Sequence, residues 1–172
     1  MIMIRTCKPS DFETIYAIIN DAAQAYKGII PADRWHEPYM ARDELTHEME
    51  EDVVFWGLEQ DGALVGVMGI QDRGDVVLIR HAYVATRARR QGIGTRLLQH
   101  LESTVERPVL VGTWAAARWA IAFYQKNGYQ LVSEVEKDRL LQRYWRIPER
   151  QVATSVVLAN KRWMDTPPVP HA

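Results

Sequence analysis

Four arginines, Arg87, Arg89, Arg90 and Arg96, stand around Gly92 and Gly94 in the stretch TRARRQGIGTRLL, residues 86–98. An apolar run precedes the stretch and a leucine-rich helical pattern follows it, so the order is strand, turn, helix. The first N–H groups of a helix lack an intrahelical acceptor and its dipole is positive at that end, and both favour an anion. Glycine there removes side chains that would hold phosphate oxygens away from the backbone. Flanking arginines add charge and Thr95 adds a hydroxyl donor. The pattern suits a pyrophosphate, although a solvated helix start has the same residues. It is not a Walker loop, which needs G-x-x-x-x-G-K-[ST]. Nor is it the dinucleotide fingerprint, because Leu97 stands where the third glycine belongs.

The rest of the composition narrows the choice. With 21 Lys and Arg against 22 Asp and Glu the formal net charge is −1, so no global field draws the chain to nucleic acid. The arginine cluster is a local device. A single cysteine, Cys7, excludes an internal disulfide and fits a reducing, cytoplasmic setting. Its place in the first apolar run reads as a packed small hydrophobe rather than a nucleophile. The opening MIMIRTCKPSD carries no long apolar run, so no signal peptide is expected. No stretch approaches the roughly 18 apolar residues that span a membrane. No His/Cys cluster has metal-ligand spacing, and no metal is expected.

The elements that must position the arginine turn follow from periodicity. MIMIRTC predicts a short strand. KPSDFETIYAIINDAAQAY predicts a helix, with Ser10 as cap and Glu13 completing a capping box. PADRWHEPYMARDELTHEMEED reads as a broken helical segment. VVFWGLEQ and ALVGVMGIQ are strands joined by Asp61-Gly62, a hairpin signal. DVVLIRHAYV predicts a central strand, and the helix after the turn places Ile93, Leu97, Leu98, Leu101 and Val105 on one side. PVLVGTW, AARWAIAFYQKN and GYQLVSEV read as strand, helix and strand. KDRLLQRYWRIPER is ambiguous, and QVATSVVLA closes as a strand. With 172 residues and no internal repeat or linker, the expectation is one α+β (mixed α/β) domain over residues 1–163, then a proline-rich tail, 164–172.

Two blocks together resemble a known family. LIRHAYVATRARRQGIGTRLL is similar to the acyl-CoA site of the GNAT superfamily of N-acetyltransferases, with Arg89, Gly92 and Gly94 filling the signature [RQ]-x-x-G-x-[GA]. RWAIAFYQKNGYQLV is similar to the family's A-x-x-F-Y-x-x-x-G-[FY], at Ala120, Phe123, Tyr124, Gly128 and Tyr129. The element order matches along nearly the whole chain. The resemblance implies a twisted, mostly antiparallel sheet of about seven strands with a splayed central pair and helices on both faces.

It also implies roles. Ala82, Tyr83 and Val84 would offer backbone to the pantetheine arm. The pyrophosphate of acetyl-CoA would lie on the N–H groups of Arg90, Gln91, Gly92, Ile93, Gly94 and Thr95, beside Arg89. Arg87 and Arg96 are either solvated or meet the 3′-phosphate. Where relatives often carry a cofactor-binding Asn this chain has Ala117, so that contact is missing. Tyr124 matches the tyrosine that faces the thioester sulfur and would protonate a departing thiolate.

A base is less legible. Leu78 and Arg80, at positions where some relatives place one, are unsuited to the task. His81 falls on the other face as a packed histidine, unless a bulge turns it. Glu44, Glu37 and His36 have no spacing argument behind them, and a water-mediated base is the first expectation. YKGIIPADRWHEPYM would wall an acceptor pocket through Trp35 and Tyr39, with Asp33 and Glu37 drawing a cationic amine. LLQRYWRIPERQVATSVVLA would form an opposite wall or a homodimer contact, with Tyr144 and Trp145 as an exposed aromatic patch. The expected reaction is metal-free acetyl transfer to an amine acceptor. The alternative is a non-catalytic acyl-CoA-binding or sensing module.

Overall fold

The structure, a computed structural model, describes residues 1–165. Seven strands form a mostly antiparallel sheet flanked by helices, the α+β architecture expected. Two units carry it, residues 1–72 with 79–106 and residues 73–78 with 107–165.

In the first unit the strand order is β1 (Ile2–Thr6), β2 (Val53–Gln60), β3 (Ala63–Asp72) and β4 (Val77–Val84, whose first two residues belong to the second unit). The β2–β3 turn is closed by Asp61 at φ 53° and Gly62 at φ 85°. Positive φ at both central residues matches the right-handed strand twist, which is why Asp-Gly marks this hairpin.

Helix α1 (Phe12–Ala22) buries Ile15, Ile18 and Ile19, and α2 (Arg42–Glu50) buries Leu45, into one core with Val53, Phe55 and Val67. Ser10 does not cap α1. A short 3-10 turn at Pro9–Asp11 precedes the helix, and the Asp11 carboxylate accepts the Lys8 N–H at 2.6 Å. Arg5 holds that carboxylate at 2.7 Å and Glu59 at 2.7 Å.

Helix α3 (Ile93–Ser103) buries Ile93, Leu97, Leu98 and Leu101, while Val105 falls beyond its end. It lies close to β3: a Cβ on Gly66 would meet Ile93 at 2.7 Å and Leu97 at 3.3 Å.

The second unit has strand order β5 (Val109–Trp114), β7 (Ser155–Ala159), β6 (Gln130–Leu131). β5 and β6 both pair antiparallel to β7. Its helices are α4 (Arg118–Lys126), α5 (Glu134–Leu140), α6 (Glu149–Ala153) and α7 (Lys161–Asp165).

Further expectations are corrected in this unit. GYQLVSEV gives only a two-residue strand, because the Ser133 side chain accepts the Glu136 N–H at 3.2 Å and starts α5. The first residues of QVATSVVLA are helical, and only its second half is strand. Tyr144 is not part of an exposed patch: a π turn at Leu141–Trp145, ended by Arg146 at φ 56°, carries it into the core at 6% exposure. Trp145 covers Gly112, whose added Cβ would sit 3.3 Å from the indole. Of the expected tail, Met164 and Asp165 end α7, and 166–172 lie outside the described residues.

Candidate functional site

The arginine turn folds as its glycines suggest. After β4 a 3-10 turn at Thr86–Ala88 is anchored by the Thr86 N–H on Asp21 Oδ2 at 2.7 Å. The backbone then passes through two left-handed residues, Arg90 at φ 65° and Gly92 at φ 73°. Gly92 pays nothing for this conformation and Arg90 is strained by it. Left-handed residues spaced this closely turn N–H groups toward one concave side, a backbone cradle for anions.

Gly92 is the N-cap of α3 and no side chain caps the helix. The N–H groups of its first turn are therefore the orphan donors every helix start presents. A Cβ on Gly92 would meet nothing within 4 Å, so the turn is open on that side. Arg89, Arg90, Gln91 and Gly92 are exposed, Gly94 and Thr95 are half-buried, and only Ile93 points into the core. The Gln91 side chain accepts from Gln60 Nε2 at 2.9 Å, which ties the turn to the end of β2. Arg87 and Arg96 are exposed as well. These residues fit a diphosphate: a helix start without a side-chain cap, open space beside Gly92 and exposed arginines around it.

Upstream, Ala82, Tyr83 and Val84 are half-buried at the end of β4. The Tyr83 ring meets Tyr26 edge-on at 6.3 Å, Tyr26 lies 5.3 Å from Tyr39, and Tyr39 stacks on Trp35 at 5.9 Å. Trp35 and Tyr39 thus join a half-buried aromatic group. Glu37 is instead paired with Lys27 at 3.0 Å, and His36 and Glu44 are exposed. Cys7 is half-buried, and burial pushes its thiol up to about 11, which leaves it unreactive at neutral pH.

In the second unit Tyr124 lies on α4 at 5% exposure, packed edge-on to Phe123 at 5.0 Å and tilted on Tyr129 at 5.6 Å. Ala117 is the N-cap residue of α4 and is fully buried, so this position offers no polar side chain. Leu78 is a core residue of this unit.

The sequence leaves His81 as a packed histidine on the other face unless a bulge turns it, and gives no sign of Glu48 beside it. His81 sits in β4 at φ 54°, inside a strand where a non-glycine residue rarely adopts that conformation. Glu48 Oε1 of α2 lies 3.3 Å from an Arg80 guanidinium nitrogen and 3.4 Å from His81 Nε2. Arg80 also donates to Gln71 Oε1 at 2.8 Å, and Gln71 donates to the Glu51 carbonyl at 2.7 Å. His81 stacks on Phe55 at 6.2 Å. Burial, with Arg80 adding to it, holds the imidazole below its ordinary pKa against the pull of Glu48 and Glu44. Burial raises the Glu48 carboxyl, but His81, Arg80 and His47 outweigh it and leave that group below the usual carboxylate value.

Among the described residues no helix is long and apolar enough to cross a membrane. No curated protein matches the sequence. The fold is similar to that of a PaiA N-acetyltransferase from Thermoplasma acidophilum solved with coenzyme A, at 18% identity and TM-score 0.72, over 94% of this chain and 99% of that one. It is similar to the ribosomal-protein-S18-alanine N-acetyltransferase of Escherichia coli, at 18% identity and TM-score 0.64, over 99% and 100% of the two chains. N-acetylglutamate synthase from Neisseria gonorrhoeae, solved with coenzyme A and N-acetyl-glutamate, matches at 22% identity and TM-score 0.64 over 94% of this chain but 35% of its own. The family model described as "Acetyltransferase (GNAT) domain" matches residues 16–141.

Proposed function

Because the chain belongs to the GNAT acetyltransferase family, we propose that it is an N-acetyltransferase, moving the acetyl group of acetyl-CoA onto a primary amine by direct attack in a ternary complex. The observation that carries this reading is the uncapped, left-handed turn at residues 89–95. GNAT enzymes take acetyl-CoA as acetyl donor, and a thioester supplies an activated acyl group with a thiolate as leaving group. Here the N–H groups of Arg90, Gln91, Gly92, Ile93, Gly94 and Thr95 would bind the diphosphate, with Arg89 beside them. Backbone of Ala82, Tyr83 and Val84 would hold the pantetheine arm as an added strand. Tyr124 would give its hydroxyl proton to the sulfur, a step that suits a leaving thiol that ordinarily titrates at about pH 8.5. The acceptor amine meets the aromatic rings of Trp35, Tyr39, Tyr26 and Tyr83.

The test is a single substitution in the turn. Gly94→Glu places a carboxylate among the N–H groups, and CoA binding measured by calorimetry is expected to disappear while the protein stays folded. Unchanged CoA affinity in folded Gly94→Glu protein removes the diphosphate cradle. Parent protein that binds acetyl-CoA and releases no CoA thiol across an amine panel is a binding module rather than an enzyme.

A further inference from the structure

In a straight strand successive side chains point to opposite faces of the sheet. Arg80 and His81 are successive, and yet both reach the same oxygen of Glu48, at 3.3 and 3.4 Å. The left-handed backbone at His81 is what brings them to one side. That conformation strains a non-glycine residue and persists only where the surroundings enforce it.

The neighbouring strand is built for it. A Cβ on Gly69 would lie 2.7 Å from the Arg80 carbonyl oxygen and 2.8 Å from Val53, so only glycine lets the kinked backbone come this close. The turned imidazole is then held in a half-satisfied state. Its buried Nε2 makes no full hydrogen bond, although the Glu48 carboxylate stands 3.4 Å away. A strained backbone and an underused buried nitrogen, one residue before Ala82, are more than packing requires.

We propose that His81 is the group that takes a proton from the ammonium form of the acceptor, with Glu48 as the positioning residue whose carboxylate, close to Nε2 but not hydrogen-bonded to it, favours the proton on that nitrogen and leaves the Nδ1 lone pair to act. The proposal rests on the acetyl-transfer reading. In balance, the ammonium gives one proton to Nδ1, and the freed lone pair forms the N–C bond as the C–S bond breaks. The amine's second departing proton ends on the CoA sulfur, and the imidazolium returns the first to solvent. No oxidation or reduction is involved.

The groups around the imidazole suit that cycle. Arg80 on β4 presses against a second positive charge, and burial does the same, so His81 rests neutral. Glu48 and Glu44 on α2 favour the imidazolium once it forms, and His47 on the same helix bears on Glu48 rather than on the ring. The β2 contact, Phe55, is uncharged. Arg80 stays bound to Gln71 and Glu48, which fixes the carboxylate in place.

The experiment uses two acceptors of one shape, phenethylamine, still an ammonium at about pH 8.5, and benzylhydrazine, a much weaker base that is largely neutral there. CoA release is followed against pH for the parent, His81→Asn and Glu48→Gln. With phenethylamine, His81→Asn is expected to lower kcat/KM by about 10²–10⁴-fold, the worth of a positioned base, and to remove the acidic limb of the profile. With benzylhydrazine the same variant should stay within a few-fold of the parent. Glu48→Gln, which keeps shape, should give a smaller loss with the same acceptor dependence. Histidine ¹⁵N spectra of the parent should show the Nε2–H tautomer at pH 7.5, and Glu48→Gln should mix the two. Equal losses on both acceptors, or an Nδ1–H ring in the parent, overturn the proposal. A parent inactive on every amine is a different result: the acetyl-transfer reading fails and the proposal falls with it.

Discussion

Lys137 on α5 and His81 on β4 are both ionisable side chains withdrawn from water, at 3% and 15% exposure. The protein treats them in opposite ways. Lys137 donates to the Val152 carbonyl at 2.8 Å and meets Asp138 at 2.9 Å and Glu134 at 3.1 Å. All three donors of an ammonium find an acceptor, and the backbone around it is an ordinary helix. His81 has one neighbour at 3.4 Å, without a full hydrogen bond, on a backbone twisted to φ 54°. A buried polar group that is fully satisfied fastens the fold. One that is held ready but not satisfied has a reason beyond stability. Burial lowers the pKa of both groups. Asp138 and Glu134 overcome it and raise Lys137, while Glu48 does not overcome it at His81.

The largest effect that would sharpen this contrast is expected at Tyr124, a tyrosine buried on α4. Tyr124→Phe keeps the ring against Phe123 and Tyr129 and deletes only the hydroxyl. If Tyr124 protonates the thiolate, turnover falls by about 10²–10⁴-fold with CoA affinity and melting temperature nearly unchanged. Steady-state rates against pH and a thermal melt check this. Parental turnover with a lower melting temperature puts Tyr124 with Lys137.

Next comes Lys137 itself. Lys137→Ala leaves the buried Val152 carbonyl without its donor and opens a void, at a cost of about 1–3 kcal/mol. At roughly 2–4 °C per kcal/mol for a chain of this size, the melting temperature should drop by several degrees. CoA release in the parent and in Lys137→Ala should agree within two-fold. A rate loss without a melting shift would break the comparison.

The smallest effect is the dependence of stability on pH, where the two groups should differ in sign. His81 has a folded pKa below its unfolded value, so its contribution is complete above about pH 6.5 and is lost as pH falls through the folded value. Lys137 has a folded pKa above its unfolded value, so its contribution is complete below about pH 10.4 and is lost as pH rises through the folded value. Melting temperatures measured across pH should therefore show a shallower acid decline in His81→Asn and a shallower alkaline decline in Lys137→Ala. Parallel curves for parent and variants would mean that neither pKa is set by folding.

What the sequence discloses follows the range of the forces involved. The Asp61-Gly62 hairpin and the apolar side of α3 are local patterns and were legible, as was the strand-turn-helix order around Gly92, though not the left-handed backbone there. Glu48 was not, because nothing near it in sequence points to Arg80 or His81; the tertiary fold alone brings α2 to that kink. The kink needs Gly69 on another strand, and a glycine within an apolar run carries no mark of its partner. Ser133 and Glu136 did hold a capping signal, but GYQLVSEV also alternates as a strand does, and the cap won. Tyr144 was misread because a π turn shifts which side of a helix faces inward, and that shift has no periodic signature.

Gly66 gives the turn a hidden dependence on a distant site. A Cβ there would sit 2.7 Å from the Ile93 side chain and 3.3 Å from that of Leu97, so these side chains or the start of α3 must shift. Mutational drift at position 66 would thus be felt in the donors of residues 90–95, without touching an arginine or the fold's composition. A loss caused there could be compensated by trimming Ile93 or Leu97, and each of those trims would be harmful by itself. The pair of positions is an epistatic lock. A larger residue at 66 is therefore expected to be tolerated better beside a smaller one at 93 or 97 than alone.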